Sequence, residues 1–399
     1  MAQPSQAPTA PTQQAKTAYP FKLSTRRYYA SPGNMQAITS PGGTSQLQML
    51  KTGYLSKLAL NVSGTITFNN TATSAATVNV SPFWPYNLLS NIRLSVNPTD
   101  IFNLDGFGAF LAGLQDHIAY AAGGPQSEII SNYVTANQGP AAIFGTAGTP
   151  GGTLTAAASG NTTIQIGHSY VIPVAVDEQL KTGLIDLQAA GLNMTLYCTA
   201  GQVADWFGTL PSGVTVSAVN INIVPQMTAF AKPASAGSQP DTSYWHTWRY
   251  EDYPWTAAGD QIYNPTPGNV FLRILSRFLS GGYQGTAPAF LATPGNPNTQ
   301  NFNATKIDYT GLQEPEILPC VDRLRLFRQY HGFDIPDGVI PFDFRDGGGS
   351  VELGWDPRDN FNTRTMTYFH ATVNSSLTPT AGSIIRWYRE ELVPVQRIG

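Results

Sequence analysis

The residue types that most often carry catalysis are scattered along this sequence. Its five histidines lie far apart, so neither an HxH nor an HExxH metal motif is present. Imidazole is a common ligand for first-row transition metals, so this spacing argues against a metalloenzyme, and we expect no metal and no cofactor. The histidines are His117, His168, His246, His331 and His370.

The motifs that hold nucleophiles and phosphates are also missing. The sequence has no GxSxG elbow, no GxxxxGKS/T phosphate loop and no CxxC pair. A glycine cluster, DGGGS at residues 346–350, lacks the lysine that follows the glycines of a phosphate loop. We therefore predict a hairpin turn at this cluster, and we predict that the chain is not an enzyme.

Neighbouring carboxylates are the best remaining candidates for chemistry, because glycosidases use two carboxyl groups roughly 5–10 Å apart. One pair, Glu251 and Asp252, lies among aromatic residues of the kind that stack on sugar rings. A carbohydrate-binding or carbohydrate-cleaving site is one interpretation, and an aromatic core or a subunit interface is the other. The further pairs are Glu314 with Glu316 and Glu390 with Glu391, and the aromatic residues are Trp245, Trp248, Tyr250, Tyr253 and Trp255.

Arginine is concentrated in the second half of the chain. The segment RLRLFRQY, residues 323–330, is predicted as a strand with arginines on one face. Contact with nucleic acid is one interpretation, but interspersed carboxylates favour salt bridges at an interface. The net charge of −3 also gives no basic stripe, so direct binding to nucleic acid is not expected. The arginines concerned are Arg323, Arg325, Arg328, Arg386, Arg389 and Arg397.

The two cysteines, Cys198 and Cys320, are far apart in the sequence, and we predict two buried free thiols. Free thiols suit assembly in a reducing compartment such as a bacterial cytoplasm. No apolar run reaches the ~18 residues of a membrane span. The first residues lack the apolar segment of a secretory signal, so neither a membrane span nor a signal peptide is expected.

The composition favours short strands joined by many turns. Charged residues make up only 12% of the chain, whereas it has 38 glycines and 30 prolines. Charged residues are depleted from interface cores, so the low charge also predicts extensive contact with neighbouring molecules. Alternation of Leu58, Leu60 and Val62 predicts a long strand over residues 52–68, with Gly64 at a bulge or bend.

One segment departs from the strand pattern. Within residues 100–120, apolar side chains recur at helical spacing, and Asp100 or Asp105 is placed to cap the helix. Two segments rich in small and polar residues, 134–163 and 284–303, are predicted as long loops. The apolar residues of the helix are Phe107, Phe110, Leu111, Leu114 and Ile118.

The chain divides into two strand-rich units preceded by a polar arm. Residues 1–44 form the arm, residues 45–231 the first unit, residues 232–241 a linker rich in Pro, Gly and Ser, and residues 242–399 the second unit. A basic and aromatic cluster in the arm is the candidate for contact with an anionic membrane or a neighbouring subunit. Its basic residues are Lys16, Lys22, Arg26 and Arg27.

Specific stretches in both units resemble the major capsid proteins of tectivirus-type phages, which are tailless and have an internal membrane. The order of these stretches carries the resemblance over most of residues 50–399. One departure is the arm, where residues 1–15 hold three prolines although the family often has a longer N-terminal helix. The stretches are GYLSKLALNVSGTITFNNTAT (53–73), PFWPYNLLSNIRLSV (82–96), NLDGFGAFLAGLQ (103–115), YVIPVAVDEQLKTGLIDLQ (170–188), FDIPDGVIPFDFRD (333–346), VELGWDPR (351–358) and YREELVPV (388–395).

The resemblance implies an all-β fold of two tandem eight-stranded jelly-roll sandwiches, a double jelly roll, with short helices in the loops. It implies a homotrimer whose six jelly rolls form a pseudo-hexameric capsomer, and capsomers that tile an icosahedral shell over an internal membrane. The implied partners are neighbouring capsomers, vertex (penton) and minor capsid proteins, and the membrane through the arm. The implied location is the virion, after assembly in the host cytoplasm.

Two alternatives stay open from the sequence. The chain is also compatible with a phage spike or receptor-binding protein, present in few copies per particle. A carbohydrate-binding β-sandwich protein that uses the tryptophans of residues 245–255 is the other alternative.

Overall fold

The structure is a computed structural model that describes residues 21–81, 83–113, 153–176, 182–235, 238–240, 242–282, 287–290, 300–331, 335–344 and 361–395. Its helices are α1 (Phe21–Ser24), α2 (Gly106–Gly113), α3 (Val203–Phe207) and α4 (Cys320–His331), with a 3-10 turn at Tyr86–Leu88. Strands predominate, so the predicted all-β fold with short helices between strands is confirmed.

The strands follow one another in this order. In the first half they are β1 (Arg27–Ala30), β2 (Thr44–Gln48), β3 (Tyr54–Asn70), β4 (Ala76–Asn79), β5 (Leu89–Val96), β6 (Thr99–Leu104), β7 (Thr153–Ala156), β8 (Gly160–Pro173), β9 (Ile185–Asp186), β10 (Met194–Ala200) and β11 (Val214–Phe230). In the second half they are β12 (Tyr244–Pro254), β13 (Gly259–Tyr263), β14 (Val270–Leu279), β15 (Phe302–Tyr309), β16 (Glu316–Pro319), β17 (Val339–Asp343), β18 (Phe361–Asn362), β19 (Phe369–Ser375) and β20 (Ile384–Pro394).

The largest sheet runs through both halves of the chain. Its nine strands include the path β17-β14-β20-β12-β6-β5-β10-β2, and β18 pairs with β14 beside that path. The first half also has a sheet with the path β1-β11-β3-β8, and β9 pairs with β3. The second half has a four-stranded sheet, β13-β19-β15-β16. Each half therefore packs its own sheet against its part of the shared nine-stranded sheet.

The second half shows the jelly-roll topology directly. One of its sheets has the order β12-β20-β14-β17 and the other the order β13-β19-β15-β16, so most successive strands cross from one sheet to the other. Aromatic and aliphatic side chains fill the space between these sheets, including Trp255, Phe278, Phe302 and Trp387. This apolar filling is what holds the two sheets face to face.

The long strand β3 follows the alternation seen in the sequence. Leu58, Leu60 and Val62 are buried, whereas Asn61 and Ser63 are exposed. Gly64 lies in unbroken register opposite Ile221, so it marks no bulge. Its φ is +156°, and a Cβ atom there would overlap the carbonyl oxygen of Asn220. The glycine is therefore required by the close approach of β11.

The predicted helix within residues 100–120 follows a short strand and is described as far as Gly113. Residues 99–104 form β6, and α2 begins at Gly106. Asp105 is the capping residue, because its Oδ1 accepts a hydrogen bond from the Gly108 N–H at 2.9 Å. Residues 114–152 lie outside the described chain, and with them most of the loop predicted over residues 134–163.

The strand predicted over residues 323–330 is wrong, because this segment lies in helix α4. Buried Cys320, Arg323 and Phe327 recur at the spacing of one helix face. Leu, Arg and Gln are good helix formers, and this preference outweighs the short alternation of apolar and basic residues. The three predicted arginines consequently do not share one face of a strand.

The described part of the arm lies along the first half of the chain. Strand β1 pairs with β11, and the Met35 and Ile38 N–H groups bond to the Ile223 and Ile221 carbonyls at 3.0 and 2.9 Å. Backbone pairing of this kind orders a segment whose composition favours little structure alone. The boundaries of arm, units and linker stay predictions, and the DGGGS cluster at 346–350 lies outside the described residues.

We expect Gly64→Ala to lower the free energy of unfolding by about 3 kcal/mol, because the added methyl group must push β11 away. Chemical denaturation followed by tryptophan fluorescence measures this change. Gly160→Ala in the neighbouring strand is the matched control, since its nearest atom would lie 3.7 Å away. The control should stay within about 1 kcal/mol of wild type, and an equal loss in both variants would contradict the steric explanation.

Candidate functional site

The two halves of the chain meet where β6 and β12 pair in parallel. Phe102 lies opposite Trp248, and Asn103 lies opposite Arg249. These two residue pairs join the nine-stranded sheet into one surface. The sheet face of the second half that points away from its own core is directed at the first half, and it carries several charged side chains.

A cluster around the Asp105 carboxylate links the halves at this junction. Asp105, which belongs to the first half, is fully buried. Tyr388 donates a hydrogen bond to its Oδ1 at 3.0 Å. Arg386 Nη1 lies 3.0 Å and Arg277 Nη1 3.4 Å from its Oδ2. The Asp105 carboxylate, which also caps α2, is therefore contacted by three side chains from the second half. Asp105, Arg277, Arg386 and Tyr388 are called the Asp105 cluster below.

The positive charges of the two arginines in the Asp105 cluster are also stabilised by groups other than Asp105. Arg386 forms two bonds of 2.7 Å to the two carboxylate oxygens of Asp252. The Arg277 guanidinium lies 4.2 Å from the ring centre of Phe83 and 3.6 Å from that of Phe107. A buried charge is tolerated when it has an opposite charge or an aromatic face beside it. The junction meets this condition with groups from both halves.

The electrostatics of the cluster keep its members in the forms that bind each other. Burial alone would lower the pKa of Arg386, but Asp105 and Asp252 raise it, and the net result is a higher pKa than usual. Burial, and then the charge of Asp105, raise the pKa of Tyr388. The tyrosine therefore stays a neutral donor and the arginine a cation at physiological pH.

A second group of buried charges surrounds Glu390 on the same face. His246 Nε2 lies 2.9 Å from Glu390 Oε1, and Arg273 Nε donates to Oε2 at 3.1 Å. The Arg273 guanidinium also stacks 5.1 Å from the ring centre of Trp248. Trp248, Glu390 and Arg273 lie directly opposite one another on β12, β20 and β14, so the sheet register brings them together.

The carboxylate pair predicted as a sugar-processing site does not face a common cavity. Glu251 and Asp252 are consecutive in β12, and consecutive strand residues point to opposite faces. Glu251 lies 3.5 Å from Arg389, and Asp252 pairs with Arg386 on the other face. Each carboxylate thus has its own arginine, which is an arrangement for stability and not for paired acid–base catalysis.

The aromatic residues of the same segment belong largely to the core. Trp248 and Trp255 are only 1% and 2% exposed, so they offer no platform for a sugar ring. Trp387 stacks on Tyr263 with ring centres 4.9 Å apart, and Arg389 donates to the Tyr263 hydroxyl at 3.2 Å. The second interpretation from the sequence, a dense aromatic core, fits these positions.

Helix α4 places its arginines in different surroundings. Arg323 is buried, donates to Thr305 Oγ1 at 2.7 Å, and lies 4.8 Å from the ring centre of Phe342. Burial lowers its pKa, although Glu316 acts in the opposite direction. Arg325 pairs with Asp322 on the surface at 3.0 Å. Arg397 lies outside the described residues. Arg323 is buried and Arg325 is on the surface, so the two do not form a row of arginines on the surface.

Of the arm residues predicted to make contacts, Arg26 and Arg27 are exposed. Arg27 lies 5.9 Å from the ring centre of Tyr29. Beside them, Phe21 anchors α1 by packing on Tyr54 and Phe230, with ring centres 5.8 and 5.7 Å away. Lys22 lies within α1, and Lys16 lies outside the described residues. The role of all four basic residues stays a prediction.

The remaining candidate ligands occur singly. Both cysteines are buried free thiols, as predicted, and burial raises the pKa of Cys198 and that of Cys320, the latter to about 12. Across the described residues, His, Cys, Asp and Glu side chains form no group of three or more that could hold a metal ion. In the same part of the chain, no helix has the length and apolar character to cross a membrane.

The sequence analysis did not predict the Asp105 cluster or the Glu390 group, although two arginines in an apolar strand pointed to buried ion pairs. The run VFLRILSRFL places Arg273 and Arg277 four residues apart, hence on one strand face, within an otherwise apolar strand. A fully buried strand that keeps two arginines needs carboxylates nearby. The sequence could indicate this need, but it could not identify which carboxylates meet it.

We expect Asp105→Asn to lower the free energy of unfolding by about 3–5 kcal/mol, because it leaves two buried arginines short of a counter-charge. Urea unfolding followed by circular dichroism measures the change. The matched control is Asp322→Asn, whose carboxylate pairs with exposed Arg325. The control should change the free energy by about 1 kcal/mol or less; similar losses in both variants would refute the importance of the cluster.

His168 gives the chain a predicted acid sensitivity. Burial lowers its pKa from the ordinary 6.5 to about 3. Below pH 6.5 the unfolded chain therefore binds a proton that the folded chain does not, and stability is lost as the pH falls toward 3. Between pH 6.5 and pH 4.5, wild type should lose about 2 kcal/mol more than His168→Gln, as measured by denaturation at each pH. If the free energy of unfolding falls equally with pH in both proteins, the acid sensitivity is not due to His168.

Comparison with solved structures identifies the fold of the chain. No protein-family model matches the chain, and no curated protein matches it in sequence. The STIV major capsid protein matches with a TM-score of 0.60 at 13% identity, over 94% of this chain and 98% of the other. VP54 of PBCV-1 gives 0.56 at 10% identity over 96% of each chain.

The Faustovirus major capsid protein also matches, with a TM-score of 0.54 at 9% identity, over 98% of this chain and 92% of the other. These likenesses extend through both halves of the chain. The chain therefore has the double-jelly-roll fold seen in these capsid proteins, as the sequence predicts.

Proposed function

We propose that this chain is the major capsid protein of an icosahedral virus, with a structural and not a catalytic role. The observation that carries the proposal is the match to the STIV major capsid protein over 94% of this chain and 98% of the other. At 13% identity the match rests on fold, so the function is inferred from the complete two-roll architecture together with the surface described next.

The outer face of the β1-β11-β3-β8 sheet supports an assembly role. Its exposed positions on β3, β8 and β11 carry mainly uncharged polar side chains. A surface of this kind can be buried against another protein without desolvating charges, and charged residues are depleted from the cores of interfaces. The residues include Asn61, Ser63, Thr163, Gln165, Asn220, Asn222 and Gln226.

The buried ion pairs support a rigid building block. The Asp105 cluster joins the first half to the second, so both rolls should keep one relative orientation. A shell subunit needs this property, because its contacts with neighbours are fixed by the geometry of both rolls. In this proposal the two rolls are residues 45–231 and 242–399, joined by the linker at residues 232–241.

The assembly that follows is a trimer with six jelly rolls in a pseudo-hexameric capsomer. Capsomers would tile an icosahedral shell over an internal membrane, with vertex (penton) and minor capsid proteins as further partners. The low net charge is compatible with a protein that does not contact the genome directly. The protein would be located in the virion, after assembly in the host cytoplasm.

The arm would supply contacts below or between capsomers. Arg26 and Arg27 are exposed next to the Phe21 anchor, so they can reach an anionic lipid surface or a neighbouring subunit without disturbing the roll. Lys16 and Lys22 precede them in the sequence, and we propose the same contact for them.

The proposal predicts a trimer in solution. Light scattering after size exclusion at micromolar concentration should give three times the 42.9 kDa chain mass, and negative-stain images should show capsomers with six-fold appearance. A monodisperse monomer would contradict the proposal. In purified particles the chain should be the most abundant protein, whereas a few copies per particle would favour the alternative of a spike or receptor-binding protein.

A further inference from the structure

The nine-stranded sheet ends at β2 in the first half and at β17 in the second. Helix α4 connects β17 to the end of the four-stranded sheet, because Arg323 contacts both Phe342 on β17 and Glu316 on β16. Strands β16 and β17 therefore form one flank of the molecule. That flank and the β2 end are the two extremes of the shared sheet.

The flank carries an acidic edge strand with an apolar centre. Ile317 on β16 is 65% exposed, the highest value for any large apolar residue in the described chain. Glu314 and Glu316 are exposed beside it. Strand β16 pairs only with β15 among the described strands. Residues 314–319 are called the acidic flank below; an exposed apolar residue on an unpaired edge is a typical contact site.

The first-half part of the shared sheet, from β2 to β6, carries a row with one arginine and one tyrosine. Gln46, Tyr197, Arg93 and Asn103 lie directly opposite one another on β2, β10, β5 and β6. They point away from the core of the first half, and this row is called the Arg93 face. The Arg93 side chain is 40% exposed, and its guanidinium lies 4.2 Å from the ring centre of Tyr197.

The junction between the two halves of the chain contains a similar face, and there the face is covered. On the second half of the shared sheet, the face that points away from the core also has an arginine stacked on a tyrosine. There Arg386 lies 4.2 Å from the ring centre of Tyr250. That face is covered by the first half, and Asp105 supplies the carboxylate. The Arg93 face has the same arginine–tyrosine pair, and Asp100 of its own chain lies 3.9 Å from Arg93 Nε. The Arg93 side chain nevertheless stays 40% exposed, so the described residues of its own chain do not cover it as the first half covers Arg386.

We propose that the acidic flank of one copy docks on the Arg93 face of a second copy. The exposed carboxylate of Glu314, which precedes β16, matches the charge of Arg93, and Ile317 supplies apolar area for the Tyr197 ring. Glu316 stays paired with Arg323 of its own chain. The two surfaces belong to different halves of the chain, so the contact is head-to-tail, and three such contacts close into a ring when each rotates the next copy by one third of a turn. This inference rests on the proposed function, since it names the contact that would build the trimer.

Charge reversal on one surface and a carboxylate on the other test the contact. Arg93→Glu and Ile317→Asp should each raise the dissociation constant of the trimer at least tenfold, as measured by light scattering and native mass spectrometry. Arg93→Gln replaces the first variant if Arg93→Glu does not fold, and circular dichroism with thermal melting checks folding. Matched controls are Lys51→Glu, an exposed lysine in the connection between β2 and β3, and Ile262→Asp, a 49% exposed isoleucine on β13 at the other edge of the four-stranded sheet.

Mixing the two variants tests the head-to-tail geometry. Arg93→Glu keeps an intact acidic flank and Ile317→Asp keeps an intact Arg93 face, so a mixture at high concentration should give a 1:1 complex and no ring. Absence of this complex, or trimers as stable as wild type in both variants, overturns the inference while the trimer itself stands. A wild-type monomer overturns both the trimer of the proposed function and this contact.

Discussion

The architecture depends on one buried carboxylate, that of Asp105. It ends strand β6, caps helix α2, and binds Arg277, Arg386 and Tyr388 from the other half of the chain. A buried charge costs several kcal/mol when it is unpaired, so the halves can approach only in the arrangement that pairs it. Hydrophobic contact alone is not directional. The ionic cluster is therefore what fixes the orientation of one roll against the other.

The same constraint explains where the few charges of the chain lie. Charged residues make up 12% of the sequence, yet strand β20 keeps Arg386, Arg389, Glu390 and Glu391 in buried positions. Alternate residues of this strand serve two purposes. One face binds the first half through Arg386 and Tyr388, and the other packs the second core through Trp387 and Arg389. The chain thus has few charged residues overall, and several of them are paired between buried sheet surfaces.

Several features followed from local pattern, and others did not. The strand around Leu58 and a cap at Asp105 were predicted from alternation and residue type, because these depend on near neighbours in the chain. Gly64 marks no bulge, because it is required by the close approach of β11, which is distant in the sequence. Helix α4 was missed, because residues 323–330 fit both the strand and the helix period. Helix propensity together with packing on β15 and β17 selects the helix. The aromatic segment around Trp248 permitted either a sugar site or a core, and burial decided for the core.

The sequence by itself determined the class of the protein: strand-rich, low in charge, without clustered ligands, and ordered like a double jelly roll. Only the tertiary structure decided which charges meet. Tyr388 and Asp105 are separated by 283 positions along the chain, and their contact exists because β6 and β12 pair in parallel and β20 lies next to β12. Spacing along a sequence reports on one strand or helix, whereas a buried ion pair between sheets depends on the register of several strands at once.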